Sequence, residues 1–279
     1  MVAATGKNSL MREMPMAEKI PLSVAIITKD EATNLPGCLK SVAFARQIVV
    51  VDSGSTDGTL EIARDFGCDV FVEPWKGFGP QKQMAIDRCR EPWVLVLDAD
   101  ERIPPETEAA IRAVVSGGES SASGCSFPRR NFFQGRWIRH MGWWPDRITR
   151  LFRNGRGRMT EASVHEAVDV SGQVVPLESP IEHYTESRLG EILKKIDRYS
   201  TLAAEEAFRE GRRSSVWGAL ARAELTFVQD YVIRLGFLDG RQGLVLSVTD
   251  AVNKFFKYAK LSELNRQAGA GEERKRVRG

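Results

Sequence analysis

Two aspartates one residue apart, Asp98 and Asp100, follow the apolar run at residues 93–97. Such a run predicts a strand buried in a sheet, whose polar chemistry is confined to the residues where it ends. Open α/β sheets bind ligands at the carboxyl ends of their strands. Oxygen ligands there suit Mg²⁺ or Mn²⁺, which commonly hold a diphosphate. The pair is therefore a candidate metal site, with two acids that merely open a loop as the alternative.

Two earlier apolar runs, residues 22–28 and 48–51, also end in polar residues. Both runs are nearly free of charge, as expected of parallel strands, and the carboxyl ends of parallel strands meet at one edge of a sheet. We therefore expect the polar residues at the ends of all three runs to face one crevice. They are Thr28, Lys29, Asp30 and Glu31 at the first run, and Asp52, Ser53, Gly54, Ser55, Thr56 and Asp57 at the second.

The turn after the second run has a simpler interpretation, in which Asp57 or Thr56 caps the next helix. The turn does not match the G-x-G-x-x-G fingerprint of dinucleotide-binding folds, since only Gly54 and Gly58 are present. It also lacks the Gly-Lys-Ser/Thr of a phosphate-binding P-loop. Neither of these common phosphate-binding motifs is therefore found in this turn.

Apolar spacing predicts strands that alternate with short helices, which is typical of a Rossmann-like, mostly parallel sheet. From residue 189 onward, three-to-four spacing predicts helices only. The predicted fold class is α/β with an α-helical C-terminal extension. The predicted strands cover residues 22–28, 48–51, 69–72, 93–97, 125–128, 149–153 and 174–177. The predicted helices cover residues 34–44, 59–66, 81–89, 189–203, 216–235 and 244–264.

Composition is that of an ordinary globular protein, with 279 residues, 42% hydrophobic and 28% charged. The net charge of +3 is too small to predict nucleic-acid binding. The four cysteines have no C-x-x-C spacing, which favours thiols in a reducing compartment. No stretch approaches the ~18 apolar residues of a spanning helix, and residues 1–19 lack the apolar segment of a signal peptide. We expect a cytoplasmic protein, at most peripheral on the inner membrane.

The character of the sequence changes at three points, which divide the chain into four predicted parts. Residues 1–19 are expected to be a flexible leader, and residues 20–188 a catalytic domain. Residues 189–264 are expected to be a helical extension, followed by a disordered basic tail at 265–279.

Taken together, these motifs resemble glycosyltransferase family 2, the inverting enzymes of GT-A fold with a nucleotide-sugar-binding sheet. The resemblance covers roughly residues 21–264. Within the family, the sequence is similar to a bacterial subgroup typified by the β-glucosyltransferases of the lipopolysaccharide inner core. In the sheet the matching segments are VAIITKDEATNLPGCLKSV, IVVVDSGSTDGTLEIA, PWKGFGPQKQMAID and WVLVLDADERI. Those that follow are PRRNFFQGRWIRHMGWWPD, RLFRNGRGRM, SVHEAV, HYT, RYSTLAAEE, RLGFLDG and KYAKL.

The resemblance implies a site for a UDP-sugar donor. Asp52 would hydrogen-bond the uracil with Ser53 beside it, and Asp98 would touch the ribose or a metal-bound water. Asp100, with Asp98, would coordinate Mg²⁺ or Mn²⁺, whose charge offsets that of the departing diphosphate. The other residues implied at the donor are Thr28, Lys29, Glu31 and Lys82.

An inverting transfer also needs a carboxylate that removes the proton of the acceptor hydroxyl as its oxygen attacks the anomeric carbon. In many members of the family this base belongs to a Glu-Asp pair after a Leu-Phe-Arg strand. Here Leu-Phe-Arg at 151–153 is followed by His165 and Glu166 instead. We predict Glu166 as the base, with Asp146 as the alternative.

Nine arginines lie between Arg129 and Arg158, interleaved with aromatic residues. Aromatic faces suit sugar C–H surfaces, and guanidinium groups suit phosphate or carboxylate, so the segment favours an anionic saccharide acceptor. The alternatives are an aromatic-packed β-insert and single-stranded RNA, although the acids at the sheet edge disfavour RNA. His183 is more typical of a packing residue, with the diphosphate as its alternative partner. The candidate acceptor contacts are Arg129, Arg130, Trp143, Trp144 and His165.

The last predicted helix alternates basic and aromatic residues. Such a helix either packs on the rest of the protein or lies in a headgroup layer with its lysines reaching anionic phosphates. We expect the helical extension to serve acceptor binding, membrane binding or self-association into a homo-oligomer. The residues concerned are Lys254, Phe255, Phe256, Lys257, Tyr258 and Lys260.

The function predicted from these features is transfer of a hexose, glucose from UDP-glucose, to a hydroxyl of a lipopolysaccharide-core or other lipid-linked saccharide. Two other classes stay open. One is a nucleotidyltransferase, which uses acids and Mg²⁺ at a sheet edge but usually has a Gly-rich, basic loop after the first strand. The other is a non-catalytic, membrane-peripheral scaffold of the same fold.

Overall fold

The apolar run near the start of the chain forms the buried strand β1 (Ile20–Thr28). Its Leu22, Val24 and Ile26 have no exposed surface, as expected of a strand inside an α/β sheet. The structure is a computed structural model that describes residues 18–117, 122–160, 167–185 and 188–278.

Strands and short helices alternate after β1 as far as α4, and helices alone follow β12. The strands are β2 (Ala45–Asp52), β3 (Asp69–Val72), β4 (Trp93–Asp98), β5 (Glu101–Arg102), β6 (Gly124–Phe133), β7 (Arg136–Trp137), β8 (Asp146–Arg153), β9 (Gly157–Met159), β10 (Val168–Val170), β11 (Val174–Pro176) and β12 (Ile181–Tyr184). The helices are α1 (Leu35–Ser41), α2 (Thr59–Asp65), α3 (Phe78–Ile86), α4 (Pro105–Ser116), α5 (Leu189–Arg209), α6 (Val216–Val228) and α7 (Gly240–Arg278), with a π-helix at Gln229–Ile233 and a 3₁₀-helix at Gly236–Asp239.

The chain forms two compact units. Of the described residues, the first unit contains those up to Ala99 together with those in the ranges Pro105–Cys125 and Thr149–Val175. The second contains Asp100–Pro104, Ser126–Ile148 and the residues from Pro176 onward.

The first unit contains parallel strands in the order β3-β2-β1-β4, with β8 antiparallel to β4. Thr28 at the end of β1 lies opposite Asp52 of β2, and Ile27 lies opposite Asp98 of β4. The three strands therefore deliver their last residues to the same edge. The apolar core beneath this edge includes Ala25, Ile27, Val49, Val51, Ala85, Ile86, Val94, Val96 and Phe152.

In the second unit, β12 pairs in parallel with β6 and antiparallel with β5. His183 of β12 consequently lies opposite both Asn131 and Glu101. Helices α5 and α6 pack against α7. Small residues such as Ala204 make the α5–α7 contact close, together with Leu261.

The expected α/β class, a mostly parallel sheet followed by C-terminal helices, is confirmed. Two details at the C-terminal end differ from expectation. The helix predicted at 216–235 becomes a π-helix after Val228, and Leu235 then takes a left-handed φ of 61° that ends it. The tail from residue 265, expected to be disordered, continues α7 to Arg278, since most of its residues are good helix formers.

Lys260 does not reach toward solvent as a headgroup-binding lysine would. Its ammonium donates to the carbonyl and carboxylate oxygens of Asp197 and to the hydroxyls of Ser200 and Thr201, all on α5. Of the two alternatives for this lysine, packing on the protein is therefore correct. None of the helices within the described ranges is long and apolar enough to cross a membrane. Most of the predicted leader, residues 1–17, lies outside the described residues.

Candidate active site

The turn after β2 is organised by the carboxylate of Asp52, which is fully buried. Its Oδ1 accepts hydrogen bonds from the backbone N–H groups of Gly54 and Ser55, at 2.8 and 2.7 Å. Its Oδ2 accepts from the hydroxyls of Thr28, at 2.8 Å, and Ser55. Asp52 thus fixes the ends of β1 and β2 to each other, and its contact with a uracil ring stays a prediction.

Lys29 and Asp30 connect the turn after β1 to the turn after β2. The Lys29 ammonium donates to the carbonyl oxygens of Ser53 and Gly54, at 3.2 and 2.7 Å. Asp30 takes a left-handed φ of 54°, and its Oδ1 accepts from the backbone N–H of Thr56 at 2.7 Å. The two turns therefore form one hydrogen-bonded rim.

Glu31 and Asp57 meet at the start of α2. The backbone N–H of Glu31 donates to the Thr59 hydroxyl at 2.8 Å, and its Oε2 accepts from Asn34 Nδ2 at 2.9 Å. Asp57 Oδ1 accepts from the N–H of Thr59, the first residue of α2, but the N-cap residue is Gly58, so neither Asp57 nor Thr56 caps this helix as the simpler interpretation of the turn predicted. The Thr59 hydroxyl bond lowers the pKa of Asp57 below its ordinary value.

Asp98, the last residue of β4, lies between two buried cations. Lys82 Nζ, from α3, is 2.8 Å from Asp98 Oδ1, and Arg150 Nη2, from β8, is 2.7 Å from Asp98 Oδ2. Burial raises the pKa of Asp98, but the charges of Lys82 and Arg150 outweigh it and hold the pKa well below its ordinary value. Asp98 is therefore ionised, and each of its oxygens, which has more than one lone pair, can still accept a further donor or a cation.

Two cationic side chains at the carboxyl edge of a sheet suit the negative charge of a diphosphate. Arg150 was not singled out from the sequence. The available signal was weak, because Arg150 directly precedes the apolar pair Leu151 and Phe152 in a strand that also contains Arg147 and Arg153.

Asp100, in the second unit, faces the imidazole of His183. The amide nitrogen of Asn131 donates to the Trp143 carbonyl at 3.2 Å. This contact assigns the orientation of the amide group, in which Oδ1 faces His183. Oδ1 lies 2.7 Å from His183 Nδ1, which must then be the donor. In a neutral imidazole Nε2 is left with its lone pair, 3.3 Å from Asp100 Oδ2.

Two acceptors facing each other at this distance repel unless a cation lies between them or the imidazole is protonated. A carboxylate oxygen and an imidazole nitrogen fit Mn²⁺, and Mg²⁺ commonly takes one or two protein ligands plus substrate phosphates. Within the described ranges no cluster of three or more His, Cys, Asp or Glu is placed to hold a metal. The donor set of Asp100 and His183 thus fits a cation that shares its coordination with a substrate.

Of the two candidates for the general base, the structure describes the surroundings of Asp146 only. Asp146 accepts from Arg129 Nε at 2.8 Å and also from Nη2, and Arg129 Nη1 lies 3.8 Å from the buried Glu101. Arg129 therefore holds Asp146 in place. Glu166 lies outside the described residues, as does His165.

Two of the remaining candidate acceptor contacts, Arg130 and Trp144, lie around Trp137, one of the aromatic residues interleaved with the arginines. The guanidinium groups of Arg130 and Arg139 lie 4.8 and 4.1 Å from the Trp137 ring centre. Trp144 meets the same ring edge-on at 5.1 Å. Arg130 also pairs with Glu182 at 3.2 Å, so this segment is an ordered cation–aromatic cluster.

His140 is held by Asp239, which is nearly fully buried. Asp239 accepts from the backbone N–H groups of Arg139 and His140, and its Oδ2 lies 3.2 Å from His140 Nδ1. These contacts fix the loop after β7 to the residue before α7.

The family model described as "Glycosyl transferase family 2" matches residues 23–169 of the chain. The lipopolysaccharide core biosynthesis glycosyltransferase LpsC of Rhizobium meliloti is 30% identical over 258 residues, which cover 88% of this chain and 93% of LpsC. An uncharacterized glycosyltransferase of Rickettsia prowazekii is 29% identical, over 88% of this chain and 87% of that protein. Among solved structures, S. aureus TarS in complex with UDP-GlcNAc aligns at 14% identity over 88% of this chain and 92% of that one, with a TM-score of 0.46.

Proposed function

Because the chain belongs to glycosyl transferase family 2, we propose that it transfers a hexose, glucose from UDP-glucose, to a saccharide hydroxyl with inversion. The proposed acceptor is a lipopolysaccharide-core or other lipid-linked saccharide, in line with the name of the LpsC relative. The proposed cofactor is Mg²⁺ or Mn²⁺. The site of action we propose is the cytoplasmic face of the inner membrane.

The observation that carries the donor part of the proposal is the arrangement of Lys82, Asp98 and Arg150. Asp98 ends β4 at the edge where β1 and β2 also end, so the cationic groups of Lys82 and Arg150 lie where the sheet offers a ligand site. A diphosphate placed there meets two buried cations whose positions are already fixed by Asp98. We propose that the uracil and ribose bind to the hydrogen-bonded rim at the ends of β1 and β2. The residues concerned are Thr28, Lys29, Glu31, Asp52 and Ser53.

The metal ligands we propose are Asp100 and Asp98, with His183 as a further ligand beside Asp100. The facing acceptor atoms of Asp100 and His183 support this assignment. When bound, the cation supplies positive charge that stabilises the leaving diphosphate.

The chemical step needs few further groups from the chain. The acceptor oxygen attacks the anomeric carbon, the bond between that carbon and the diphosphate oxygen breaks, and UDP leaves with the bonding electrons. The hydroxyl proton passes to a carboxylate, which we propose to be Glu166, with Asp146 as the alternative. Lys82 and Arg150 favour departure because they neutralise the growing charge of the diphosphate.

Membrane association is supported by apolar side chains exposed on the helical end of the chain. Trp217 is 80% exposed, Leu225 69% and Ile233 70%. A soluble surface rarely exposes so many large apolar groups on neighbouring elements without a partner, and a bilayer surface is the partner we propose. The double change Trp217→Ser with Ile233→Ser should reduce co-sedimentation with anionic vesicles, whereas Trp75→Ser, also exposed but in the first unit, should not.

The proposed function is tested by product analysis with UDP-glucose, a lipopolysaccharide-core oligosaccharide and Mn²⁺. Release of UDP with transfer of glucose to the oligosaccharide is the expected result. Release of pyrophosphate from a nucleoside triphosphate would instead identify a nucleotidyltransferase. Failure to bind any UDP-sugar in the presence of Mg²⁺ or Mn²⁺ would favour the non-catalytic scaffold.

A further inference from the structure

A cavity of about 270 Å³ lies in the second unit, between α5, α7, the end of β6 and the residues that follow β7 and β12. Its lining combines the aromatic rings of Trp143 and Tyr199 with the polar groups of Lys195, Asp250 and Asn253. The apolar cluster that contains Phe133 supplies its base. No part of the donor or metal arrangement described above lines it.

The size of the cavity restricts the class of ligand. Clefts that hold drug-sized ligands occupy roughly 300–1,000 Å³, and this cavity lies just below that range. One ring of a saccharide is of the right order. Because the cavity is open to solvent, its volume limits the part of a ligand that it encloses, and a single sugar ring suits that volume.

The chemistry of the lining points to the same class. Aromatic faces pack against the C–H surface of a pyranose, while carboxylate, amide and ammonium groups hydrogen-bond its hydroxyls. Asp250 is the acidic member, and burial first, with the charge of Asp230 second, raises its pKa to about 6. Asp250 lines the cavity and is also exposed to solvent, so its carboxylate is accessible to donors such as sugar hydroxyls.

Trp143 connects the cavity to the proposed metal ligands within the same unit. Its side chain lines the cavity, and its carbonyl oxygen accepts from Asn131, which orients His183 beside Asp100. A ring held against Trp143 therefore lies next to a segment whose backbone helps to fix His183.

We infer that this cavity binds one sugar ring of the acceptor saccharide, with Tyr199 and Trp143 as its aromatic contacts and Asp250 as a hydrogen-bond acceptor for its hydroxyls. The inference rests on the proposed function for the identity of the saccharide as acceptor. It assigns part of acceptor recognition to α5 and α7 and not only to the arginine-rich segment.

The test measures binding of a deacylated lipopolysaccharide-core oligosaccharide by saturation-transfer NMR titration. Asp250→Asn and Tyr199→Ala should each weaken binding at least 10-fold. Glu263→Gln, which removes a carboxylate elsewhere on α7, should stay within twofold of the unaltered protein. Absence of binding to the unaltered protein, or binding within twofold in both cavity variants, would overturn the inference.

Calorimetry with UDP-glucose on the same samples separates this inference from the proposed function. Both cavity variants should bind UDP-glucose as the unaltered protein does, which shows that they are folded. If no sample binds UDP-glucose but the oligosaccharide results hold, the donor assignment fails and the saccharide cavity stands. If the cavity variants alone lose UDP-glucose, the cavity serves the donor and the inference is wrong.

Discussion

Asn131 Oδ1 lies 2.7 Å from His183 Nδ1, across the parallel pairing of β6 and β12. The contact decides which imidazole nitrogen carries the proton, because the Asn131 amide nitrogen is already directed to the Trp143 carbonyl. Nε2 is thereby left to face Asp100. A histidine whose second nitrogen is fixed in this way is the usual arrangement of a metal ligand.

His183→Ala should lower the affinity for Mn²⁺, measured by calorimetry in the presence of UDP, by at least 10-fold. Asn131→Leu, which removes only the orienting group, should cost 10–100-fold in affinity or activity, as loss of such orienting groups typically does. Asp100→Ala should abolish turnover and leave the thermal unfolding curve nearly unchanged. His140→Ala is the control, since Asp239 already engages its ring. Equal Mn²⁺ affinity in His183→Ala would remove the proposed metal site.

The sequence predicted the strands near the donor edge well because their apolar runs are continuous. Residues 69–72 match β3 without change, and the runs at 22–28, 48–51 and 93–97 fall inside β1, β2 and β4. The GT-A fold class expected from the family resemblance is confirmed by the family match.

Other elements had weaker signals. Helix α4 was missed although it begins at Pro105 with acids in its first turn, a typical helix start. Strand β12 has four residues, of which only one is fully buried, so it contains no apolar run from which a strand could be predicted. The place of His183 beside Asp100 follows from the pairing of β12 with β5, and such a pairing of distant segments leaves no trace in local spacing.

The role of Arg150 shows the same limit. The pattern Thr-Arg-Leu-Phe-Arg predicts a strand that contains Arg150. It does not predict whether this arginine pairs with Asp98 or with Asp100. The antiparallel pairing of β8 with β4 decides this in favour of Asp98.

Lys82→Met should weaken UDP-glucose binding at least 10-fold, because the diphosphate loses a cation that is fixed by Asp98. The free energy of unfolding should fall by about 1–3 kcal/mol, since Asp98 keeps Arg150 but loses one charged partner. Calorimetry and chemical denaturation measure the two effects. Lys40→Met, an exposed lysine on α1, should change neither. Donor affinity that is equal in the two variants would contradict the diphosphate assignment.

Asp250→Asn should stabilise the protein at pH 7 and have little effect near pH 4. Burial and the charge of Asp230 raise the pKa of Asp250 from 3.8 to about 6, against the opposing charges of Lys254 and Arg234. Since the folded state holds this proton more tightly than the unfolded state, stability is lost as pH rises through about 6. Asp250 is partly exposed, so we expect a gain of about 1 kcal/mol above pH 6 rather than the full value of the pKa shift.

Denaturant unfolding of both proteins between pH 4 and pH 8 measures this difference. Glu263→Gln serves as the matched control and should show no such pH-dependent gain. A stability difference between Asp250→Asn and the unaltered protein that is constant over this range would show that Asp250 does not titrate within it.

Glu166→Gln should reduce glucose transfer by 10²–10⁴-fold, the usual contribution of a general base, while UDP-glucose binding is retained. The change keeps the size of the side chain and removes only its ability to take the acceptor proton. Asp146→Asn should instead act through Arg129, which donates two hydrogen bonds to Asp146 and lies near Glu101. Its main effect should therefore be a higher KM for the acceptor. Steady-state kinetics with varied acceptor distinguish the two, and a kcat loss in Asp146→Asn with full kcat in Glu166→Gln would transfer the role of base to Asp146.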